Sequence, residues 1–557
     1  VKKRIMTAGM LAMILAMGMT ACANADTKEK STTKKEQVSE SDEKKEQKKS
    51  DNEAYVMNEK QKKIYEKIKK TYNAEEQQKI ADELEKKKES QEYTLSNMLI
   101  EYNPFGTNTQ SLYVYFETDS AVKVSYTIHV KEDDIADFSR NVYQDEEYQK
   151  EHEFQVIGLI PDTDNTITFY ITNEDGSTDT KEIVYEMGSL YGEEAVQLDT
   201  DVKQSADKLE DGLYVVLGND STSMDFMYYY DNNGVLRGEV PLLGYRSHRL
   251  IFDENSMYYS ISEKKMAQVN RLGQVTKVYD LGNYKLHHDY VFDENGNMLI
   301  LATDTTQDSV GDIVLKLDVN SGEVTEVLDL GDLFGEYKKT CVKNSSDELD
   351  WMHINTIQYI GNGSVLLSSR ETSTIIKVDN IYDGPVVSYM IGEKDFWKDT
   401  SYVSLLLNKK GDFTIQGGQH TITYETDESL ADGQYYLYMF DNNIGISETR
   451  PDYDWSSIGL KVSSAVDGKN SKYYKYLVDE NEGTFELVDS FKVPYSGYVS
   501  SAQETGDNVL VDSGLKGTFT EYDADHKAIV TYKMDYEKFI YRVFKYKFDG
   551  FYFEKSE

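Results

Sequence analysis

The feature that most constrains the fold of this chain is an internal repeat. Residues His248–Asn255 read HRLIFDEN and residues His288–Asn295 read HDYVFDEN, forty positions later and without a gap. A third copy aligns at Asn355–Asn362 (NTIQYIGN), where Gly363 follows as Gly296 follows the second copy. Repetition at such a period predicts an array of similar structural units around one core.

Each copy has the pattern of two β-strands joined by a tight turn. In the second copy an Asn-Gly turn leads into the apolar run 297–301, and another hairpin pattern follows over 313–327. Four strands per unit, repeated at roughly 40 to 65 residues, are typical of β-propeller blades. The sequence therefore predicts an all-β fold with a propeller over 205–553, and about 350 residues favour six blades over five or seven.

The N-terminal residues predict export from the cytoplasm. Lys2, Lys3 and Arg4 precede the apolar run 5–19, and small residues then lead into Cys22. This is the pattern of a lipoprotein signal peptide over residues 1–22, with a lipid added to Cys22. We expect an extracytoplasmic protein held at the cell membrane by its N-terminal lipid only. A plain signal peptide or a short uncleaved anchor, with Cys22 incidental, is the alternative.

Three segments separate this signal from the propeller. Residues 23–53 are almost entirely polar and charged, which predicts a solvated tether. Residues 54–92 carry apolar side chains at helical spacing, which predicts amphipathic helices that pack on the body or pair with another copy as a homodimer. Alternating strand patterns and turn signals over 93–190 predict a small β-sandwich domain.

Charge and cysteine content exclude some classes of protein. The 557 residues carry a formal net charge of −39, which argues against nucleic-acid binding because a phosphate backbone needs a positive surface. Two cysteines are present, so lipidation of Cys22 would leave Cys341 without a disulfide partner. Stability is therefore expected to come from core packing. A cationic pocket would stand out in so acidic a protein.

The repeat predicts a ring of polar side chains. The innermost strand of each blade lines the central channel of a propeller, so residues at equal repeat phase encircle one axis. His248, His288 and Asn355 share that phase, and His353 lies two residues before Asn355, on the same side of its strand. A lone strand histidine is more often structural than catalytic, and the shared phase weighs against that interpretation here.

Two further candidates lie at the ends of other strands. Arg370 offers a planar fork for a tetrahedral oxyanion, although it could instead bridge to Glu371. His420 follows Gly417 and Gly418, which either free its side chain to project or mark only a tight bend. Three histidines around an axis could also hold a divalent metal ion, but an arginine in the ring would repel a cation. We therefore expect no metal.

These residues resemble the bacterial aryl-sulfate sulfotransferases that need no 3′-phosphoadenylyl sulfate. The matching blocks are Asp350–Asn355, Ser368–Arg370, Ile375–Asp379, His287–Asp289 with Asn295–Gly296, and Gly417–His420, and the N-terminal domain matches at Asn103–Gly106 and Gly158–Asp162. The resemblance implies a six-bladed propeller that moves a sulfuryl group from a phenolic sulfate ester to a phenol by a ping-pong route, without a cofactor. This chain lacks a cysteine pair beside the matched nucleophile, so no disulfide is carried over.

The resemblance also implies roles for individual residues. His420 matches the nucleophile, which becomes a transient sulfohistidine, and His353 and Arg370 match sulfate-binding residues. We take His288 as the third such residue with His287 as its alternate, because His288 shares the phase of His248. Asn355 is expected to donate to the sulfuryl oxygens.

Two other functions stay open at this point. A surface propeller could bind sulfated or phenolic ligands without turnover, and a metal-dependent propeller hydrolase could use the same ring of histidines.

Overall fold

The computed structural model describes residues 57–218, 224–253, 255–460, 469–536 and 538–555. The predicted signal peptide with Cys22 and the predicted tether over 23–53 lie outside these ranges. Within them, no helix combines the length and the apolar character needed to cross a bilayer.

Two helices, α1 (Glu59–Thr71) and α2 (Ala74–Ser90), open the described part of the chain. Asn58 starts α1 with a capping box, in which its side chain and that of Gln61 each accept the other residue's backbone N–H. Ile64 and Ile68 are buried on one face. The Tyr72 hydroxyl donates to the Pro241 carbonyl at 2.7 Å, which fixes the helices against the propeller.

A six-stranded antiparallel sheet follows the helices. Its strands are β1 (Leu99–Tyr102), β2 (Ser111–His129), β3 (Phe138–Asn141), β4 (Gln149–Ile157), β5 (Asp164–Asn173) and β6 (Thr178–Glu186). The first half of β2 pairs with β1 and β4, and its second half pairs with β3 and β5. One long strand thus serves two layers, and the predicted β-sandwich is confirmed.

Six sheets of four or five strands then follow among the described residues, which confirms the six-bladed propeller. The strands from β7 to β18 are β7 (Asp199–Val202), β8 (Leu213–Val216), β9 (Phe226–Tyr230), β10 (Leu236–Pro241), β11 (Ile251–Asp253), β12 (Ser256–Ser262), β13 (Lys265–Asn270), β14 (Val275–Asp280), β15 (Tyr284–Phe292), β16 (Met298–Asp304), β17 (Ile313–Leu317) and β18 (Val324–Asp329). Blade 2 is β11–β14 and blade 3 is β15–β18.

The remaining blades contain longer connections. Their strands are β19 (Ile354–Gly361), β20 (Ser364–Ser369), β21 (Thr374–Asp379), β22 (Val386–Ile391), β23 (Asn408–Lys410), β24 (His420–Glu425), β25 (Gln434–Asp441), β26 (Asn470–Asp479), β27 (Thr484–Pro494), β28 (Ser501–Thr505), β29 (Asn508–Ser513), β30 (Thr518–Tyr522), β31 (Ala528–Lys533) and β32 (Val543–Tyr546). Blade 4 is β19–β22, blade 5 is β24–β27 with β23 added in parallel, and blade 6 is β28–β31.

Short helices lie in the connections. They are α3 (Leu330–Leu333), α4 (Gly335–Lys338) and α5 (Lys394–Trp397), with 3₁₀ turns at Ala206–Lys208, Ser401–Leu405, Trp455–Ile458 and Gly514–Lys516.

The two ends of the propeller segment close the ring. The C-terminal strand β32 pairs with β8 and becomes the innermost strand of blade 1, beside β9 and β10. At the other end β7 pairs with β31 and becomes the outermost strand of blade 6. The C-terminal strand β32 thus completes a blade of N-terminal strands, and the N-terminal strand β7 completes a blade of C-terminal strands. Blades 1 and 6 therefore each need both ends of the propeller segment.

A buried arginine ties the sandwich to the propeller. Arg237, in β10, pairs with Asp231 at 2.8 Å and donates to the carbonyls of Ala136 at 2.6 Å and Gly158 at 3.3 Å. Its side chain is completely buried. A guanidinium whose donors meet a carboxylate and two carbonyls is satisfied without water, so this contact holds the two domains together.

The fold predicts unequal costs for two truncations within blade 5. Leu437 in β25 is fully buried, whereas Val488 in β27 is 45% exposed. We expect Leu437→Ala to lower the free energy of unfolding by about 2–5 kcal/mol, because it removes buried methyl groups and leaves a cavity. Val488→Ala should change it by no more than about 0.5 kcal/mol. Chemical denaturation of both variants measures this, and equal effects would contradict the blade packing described here.

Candidate active site

The innermost strands of blades 3, 4 and 5 each carry a β-bulge next to the predicted site residues. The strand register shifts between Leu286 and Tyr290 in β15, between Ile354 and Thr356 in β19 and between His420 and Thr423 in β24. A bulge breaks the strict alternation of a strand and re-aims the side chains within it. His287, His288 and Asn355 lie inside these bulges.

Strained backbone also occurs beside these bulges. Non-glycine residues with positive φ precede or enter the innermost strands of five blades: Tyr245 (85°), His288 (55°), His353 (47°), Thr421 (52°) and Ser500 (86°). Such conformations cost about 1–3 kcal/mol each and persist only where surrounding contacts impose them. Positive φ also occurs in turns elsewhere, as at Asn362 and His526, but at His288 and His353 it falls on predicted site residues.

The histidines of blades 3 and 4 meet at the axis. The Nδ1 atoms of His287 and His288 lie 3.1 Å apart, so one ring donates and the other accepts. The ring centroids of His288 and His353 are 4.8 Å apart. His248 lies farther round the ring, where its Nδ1 is 3.1 Å from the Tyr541 hydroxyl.

The contacts of His420 determine which of its nitrogens is reactive. Nδ1 lies 2.7 Å from Oδ1 of Asn442 and 3.0 Å from the carbonyl of Gly418, and both partners are acceptors. The amide of Asn442 cannot be turned the other way, because its Nδ2 donates to the carbonyls of Ser496 and Val499. Nδ1 therefore carries the proton, and the lone pair lies on Nε2.

The two glycines before His420 allow a close backbone approach. A Cβ on Gly417 would lie 2.7 Å from the Ile444 carbonyl oxygen, and Gly418 has a φ of +60°. The backbone N–H of Ile444 donates to the Gly417 carbonyl at 3.2 Å. The 442–460 connection thus packs directly on this turn and holds Asn442 beside the imidazole.

Carboxylates lie behind two other site residues. Nδ1 of His353 is 2.6 Å from Oδ2 of the buried Asp350, which orients that ring. The guanidinium of Arg370 is 3.5 Å from Glu371. The other oxygen of Glu371 accepts from the Thr449 backbone and hydroxyl and from Ser447. Glu371 is thereby fixed as a counter-ion to Arg370.

Burial keeps four of the imidazoles neutral. It is the main cause that lowers the pKa of His248, His288 and His420 well below the usual range, and it lowers the pKa of His287 to about 4. Nearby cations act in the same direction, since Arg370 also lowers the pKa of His420. A neutral imidazole with a free lone pair is a nucleophile, whereas an imidazolium is not.

The structure brings all seven predicted site residues to this end of blades 2 to 5. His248, His287, His288, His353, Asn355, Arg370 and His420 are each no more than 8% exposed. Asn355 has a structural contact as well, since its Nδ2 donates to the Gln419 carbonyl at 2.7 Å and links blade 4 to the residue before His420.

Sequence reasoning missed Asn442, Tyr541 and Arg542, and it gave Asp350 no role. Asp350 lies inside the block DWMHIN, and its spacing of three from His353 was a usable signal. Asn442 lies in a loop, and Tyr541 and Arg542 come just before the closing strand, outside the repeat that was aligned. Periodicity could not have identified these three.

Among the described residues, no group of three or more histidine, cysteine, aspartate or glutamate side chains is arranged to hold a metal ion.

Comparison with known families matches both domains. The profile of the arylsulfotransferase (ASST) family matches residues 198–542, which span the propeller from just before β7 to Arg542. The profile of the arylsulfotransferase Ig-like domain matches residues 99–188, which span the β-sandwich. The chain belongs to the arylsulfotransferase family. As a member it is a sulfotransferase enzyme, and the family supports activity on aryl substrates in general.

Other comparisons are more distant. No curated protein matches this arylsulfotransferase. Among solved structures, candidate 6-phosphogluconolactonases from Bacteroides fragilis and Bacteroides uniformis show 11% and 12% identity and TM-scores of 0.33 and 0.35, covering 77% and 76% of this chain and 99% of each of theirs. BamB from Moraxella catarrhalis shows 11% identity and a TM-score of 0.29 over 61% of this chain and 91% of its own. The six-bladed description rests on strand pairing rather than on these likenesses.

We expect His287, His288 and His420 to stay neutral in mild acid. At pH 5.5 a histidine with an ordinary pKa is about nine-tenths protonated, whereas His287, with a pKa of about 4, should remain neutral, as should His288 and His420. NMR of protein with ¹⁵N-labelled histidine, assigned with single His→Gln variants, reads the ring state directly. Midpoints near 6.5 for these rings would contradict the buried arrangement.

The same shifts give the sign of an effect on stability. A histidine whose folded pKa lies below its unfolded pKa binds fewer protons when folded, so stability is full above the unfolded pKa. It is then lost as the pH falls from about 6.5 toward the folded value.

Proposed function

We propose that this arylsulfotransferase transfers a sulfuryl group from a phenolic sulfate ester to a phenol in two steps through a sulfohistidine on His420. The observation that carries the proposal is the fixed tautomer of His420: Nδ1 donates to Asn442 and Gly418, and Nε2 holds the lone pair. No described residue forms a hydrogen bond with Nε2. A neutral, oriented nucleophile is therefore present before substrate arrives.

The side chains of Arg370, His353 and His288 lie around His420 and suit the binding of sulfuryl oxygens. Arg370 supplies a buried cation, and Arg370 and His353 both lie close enough to lower the pKa of His420. His288 lies against His353, with a ring distance of 4.8 Å. Donors and cations that are held in place before reaction stabilise the charge on the equatorial oxygens without reorganisation. In many transfer reactions this electrostatic stabilisation lowers the barrier more than any other effect.

The first half-reaction forms one bond and breaks one. The Nε2 lone pair of His420 attacks sulfur, the S–O bond to the aryl group breaks, and its electrons leave with the phenolic oxygen. The resulting sulfoimidazolium carries its positive charge beside the Nδ1–H, which Asn442 and Gly418 accept. In the second half-reaction a phenol oxygen attacks sulfur and the N–S bond returns its electrons to Nε2.

The proton of the phenol is assigned to His353. Its Nδ1 is held by Asp350 at 2.6 Å, so Nε2 is the position that can exchange a proton. The proposed cycle starts with His353 as an imidazolium paired with Asp350. Its Nε2 gives a proton to the departing phenolic oxygen in the first half-reaction and regains one from the acceptor phenol in the second. The cycle balances without a nucleotide, because the sulfohistidine conserves the energy of the donor ester.

We also infer that the enzyme acts outside the cytoplasm, held at the membrane by a lipid on Cys22. The support is the basic start, the apolar run and the small residues before Cys22.

The first test replaces the nucleophile. Wild-type protein with 4-nitrophenyl sulfate and phenol should release 4-nitrophenol and form phenyl sulfate without added nucleotide, and chelator should change neither product. His420→Ala should lower turnover by at least about 10³-fold, because the covalent route is lost. The matched control is His526→Ala, since His526 lies in the turn between β30 and β31 of blade 6 and pairs with Asp489 in β27 of blade 5. Colorimetric and chromatographic assays measure both products.

Each other outcome of that experiment favours a different function. Binding of donor without release of nitrophenol would favour a non-catalytic binding propeller. Loss of activity with chelator would favour a metal-dependent hydrolase. Full activity in His420→Ala would remove this histidine as the nucleophile.

The second test concerns the proton. Asp350→Asn should lower kcat/KM for phenyl sulfate as donor by about 10²-fold, because a poor leaving group needs the proton from His353. The loss with 4-nitrophenyl sulfate should be smaller than about 10-fold, since that phenolate leaves unaided. Steady-state kinetics with each donor measure the difference. Asp293→Asn is the control, because Asp293 is a buried carboxylate in the turn between β15 and β16. Equal losses with both donors would contradict this role.

A further inference from the structure

Arg542 connects three blades at the channel. It lies just before β32 and is completely buried. Its Nη1 donates to the carbonyl of His288 at 2.7 Å, and its Nη2 donates to the carbonyl of Asn355 at 2.8 Å. Blade 1 thus reaches across to the innermost strands of blades 3 and 4.

Arg542 binds two backbone carbonyls that lie where the regular strand pairing of β15 and β19 is interrupted. His288 lies in the bulge of β15 with a φ of 55°, and Asn355 lies at the register shift of β19. Buried carbonyls in irregular backbone need a donor from elsewhere. The planar guanidinium fork supplies two donors in fixed geometry, which matches two carbonyls from neighbouring blades.

The charge of Arg542 is also placed at the site. Burial is the main cause that lowers the pKa of His248, His288 and His420, and the charge of Arg542 lowers the pKa of each ring further. The other charged or titratable groups that act on His420 are Arg370 and His353. Those that act on His288 are His353, His287 and His248. The counter-ion of Arg542 is Asp289, at 3.6 Å, which Arg249 shares at 2.7 Å.

The neighbouring residue strengthens the same link. The Tyr541 hydroxyl lies 3.1 Å from Nδ1 of His248 and 3.4 Å from the carbonyl of His288. The backbone of Tyr541 is itself held at both ends, by the Gly218 carbonyl and the Ser500 N–H. The segment that leads into the closing strand therefore contacts the site at several points.

We propose that Arg542 is a positioning residue for sulfuryl transfer, which holds the bulged backbone of His288 and Asn355 in place and so couples closure of the propeller ring to assembly of the site. This inference rests on the proposed function. Arg542 acts through other residues and does not touch the sulfuryl group.

Two substitutions separate the fork of Arg542 from its charge. Arg542→Lys keeps the charge but cannot bind both carbonyls in the same geometry, whereas Arg542→Met keeps neither. We expect kcat to fall about 10-fold in Arg542→Lys and about 10²-fold in Arg542→Met, with little change in KM, because small displacements of reacting groups are costly. In Arg542→Met the acidic limb of the kcat/KM profile should also move to higher pH, since removal of a cation raises the pKa of nearby histidines.

Arg237→Met is the matched control. Arg237 is equally buried, also donates to two carbonyls and also pairs with an aspartate, but it lies between the sandwich and the propeller. We expect this variant to lose stability and to keep its kcat within about twofold per folded molecule, with an unmoved pH profile. Circular dichroism and thermal unfolding give the folded fraction for each variant.

Titration of the histidine rings by NMR tests the role of Arg542 without an activity assay. The rings of His288 and His420 should titrate at higher pH in Arg542→Met than in wild type even when no substrate is present. If wild type transfers no sulfuryl group, the proposed function fails while this titration still tests Arg542. If Arg542→Met does not fold, Arg542→Lys decides. Wild-type kcat in folded Arg542→Lys, or losses in Arg542→Met that only match those in Arg237→Met, would overturn the proposal.

Discussion

The pairing of β32 with β8 is the contact on which the rest of the structure depends. This ladder joins residues more than three hundred positions apart and supplies blade 1 with its innermost strand. The same segment carries Tyr541 and Arg542 into the channel, where they meet blades 2, 3 and 4. Ring closure and site assembly are thus parts of one event, and a chain that failed to close would lose the geometry of its histidines along with a strand.

The site is costly to build, and its neighbours offset that cost. Strained backbone at His288 and His353 is retained because buried partners hold both residues. Buried charges are paired, as in Arg249 and Arg542 with Asp289 and Arg370 with Glu371. His248, His287, His288 and His420 avoid the penalty of burying a charge by staying neutral.

Much of the fold, and the grouping of many candidate site residues at one end of the channel, could be predicted from the sequence for a physical reason. Blade strands repeat at one phase, so a match between 248–255 and 288–295 implied that the same positions line the channel. Arg370 and His420 came from family blocks and residue chemistry. The bulges were not predictable, because a register shift depends on the partner strand. The roles of Asn442 and Arg542 depend on contacts with residues distant in the sequence.

By itself, the sequence determined the repeating strands, the propeller architecture with about six blades, the resemblance to the family and the types of side chain expected in the channel, because these follow from periodicity and local blocks. Only the tertiary structure decided which nitrogen of His420 holds a lone pair and which residues stay neutral. It also decided how the closing strand braces the site. Tautomer, protonation and backbone strain are set by neighbours in space, and in this ring those neighbours come from several blades that lie far apart along the chain.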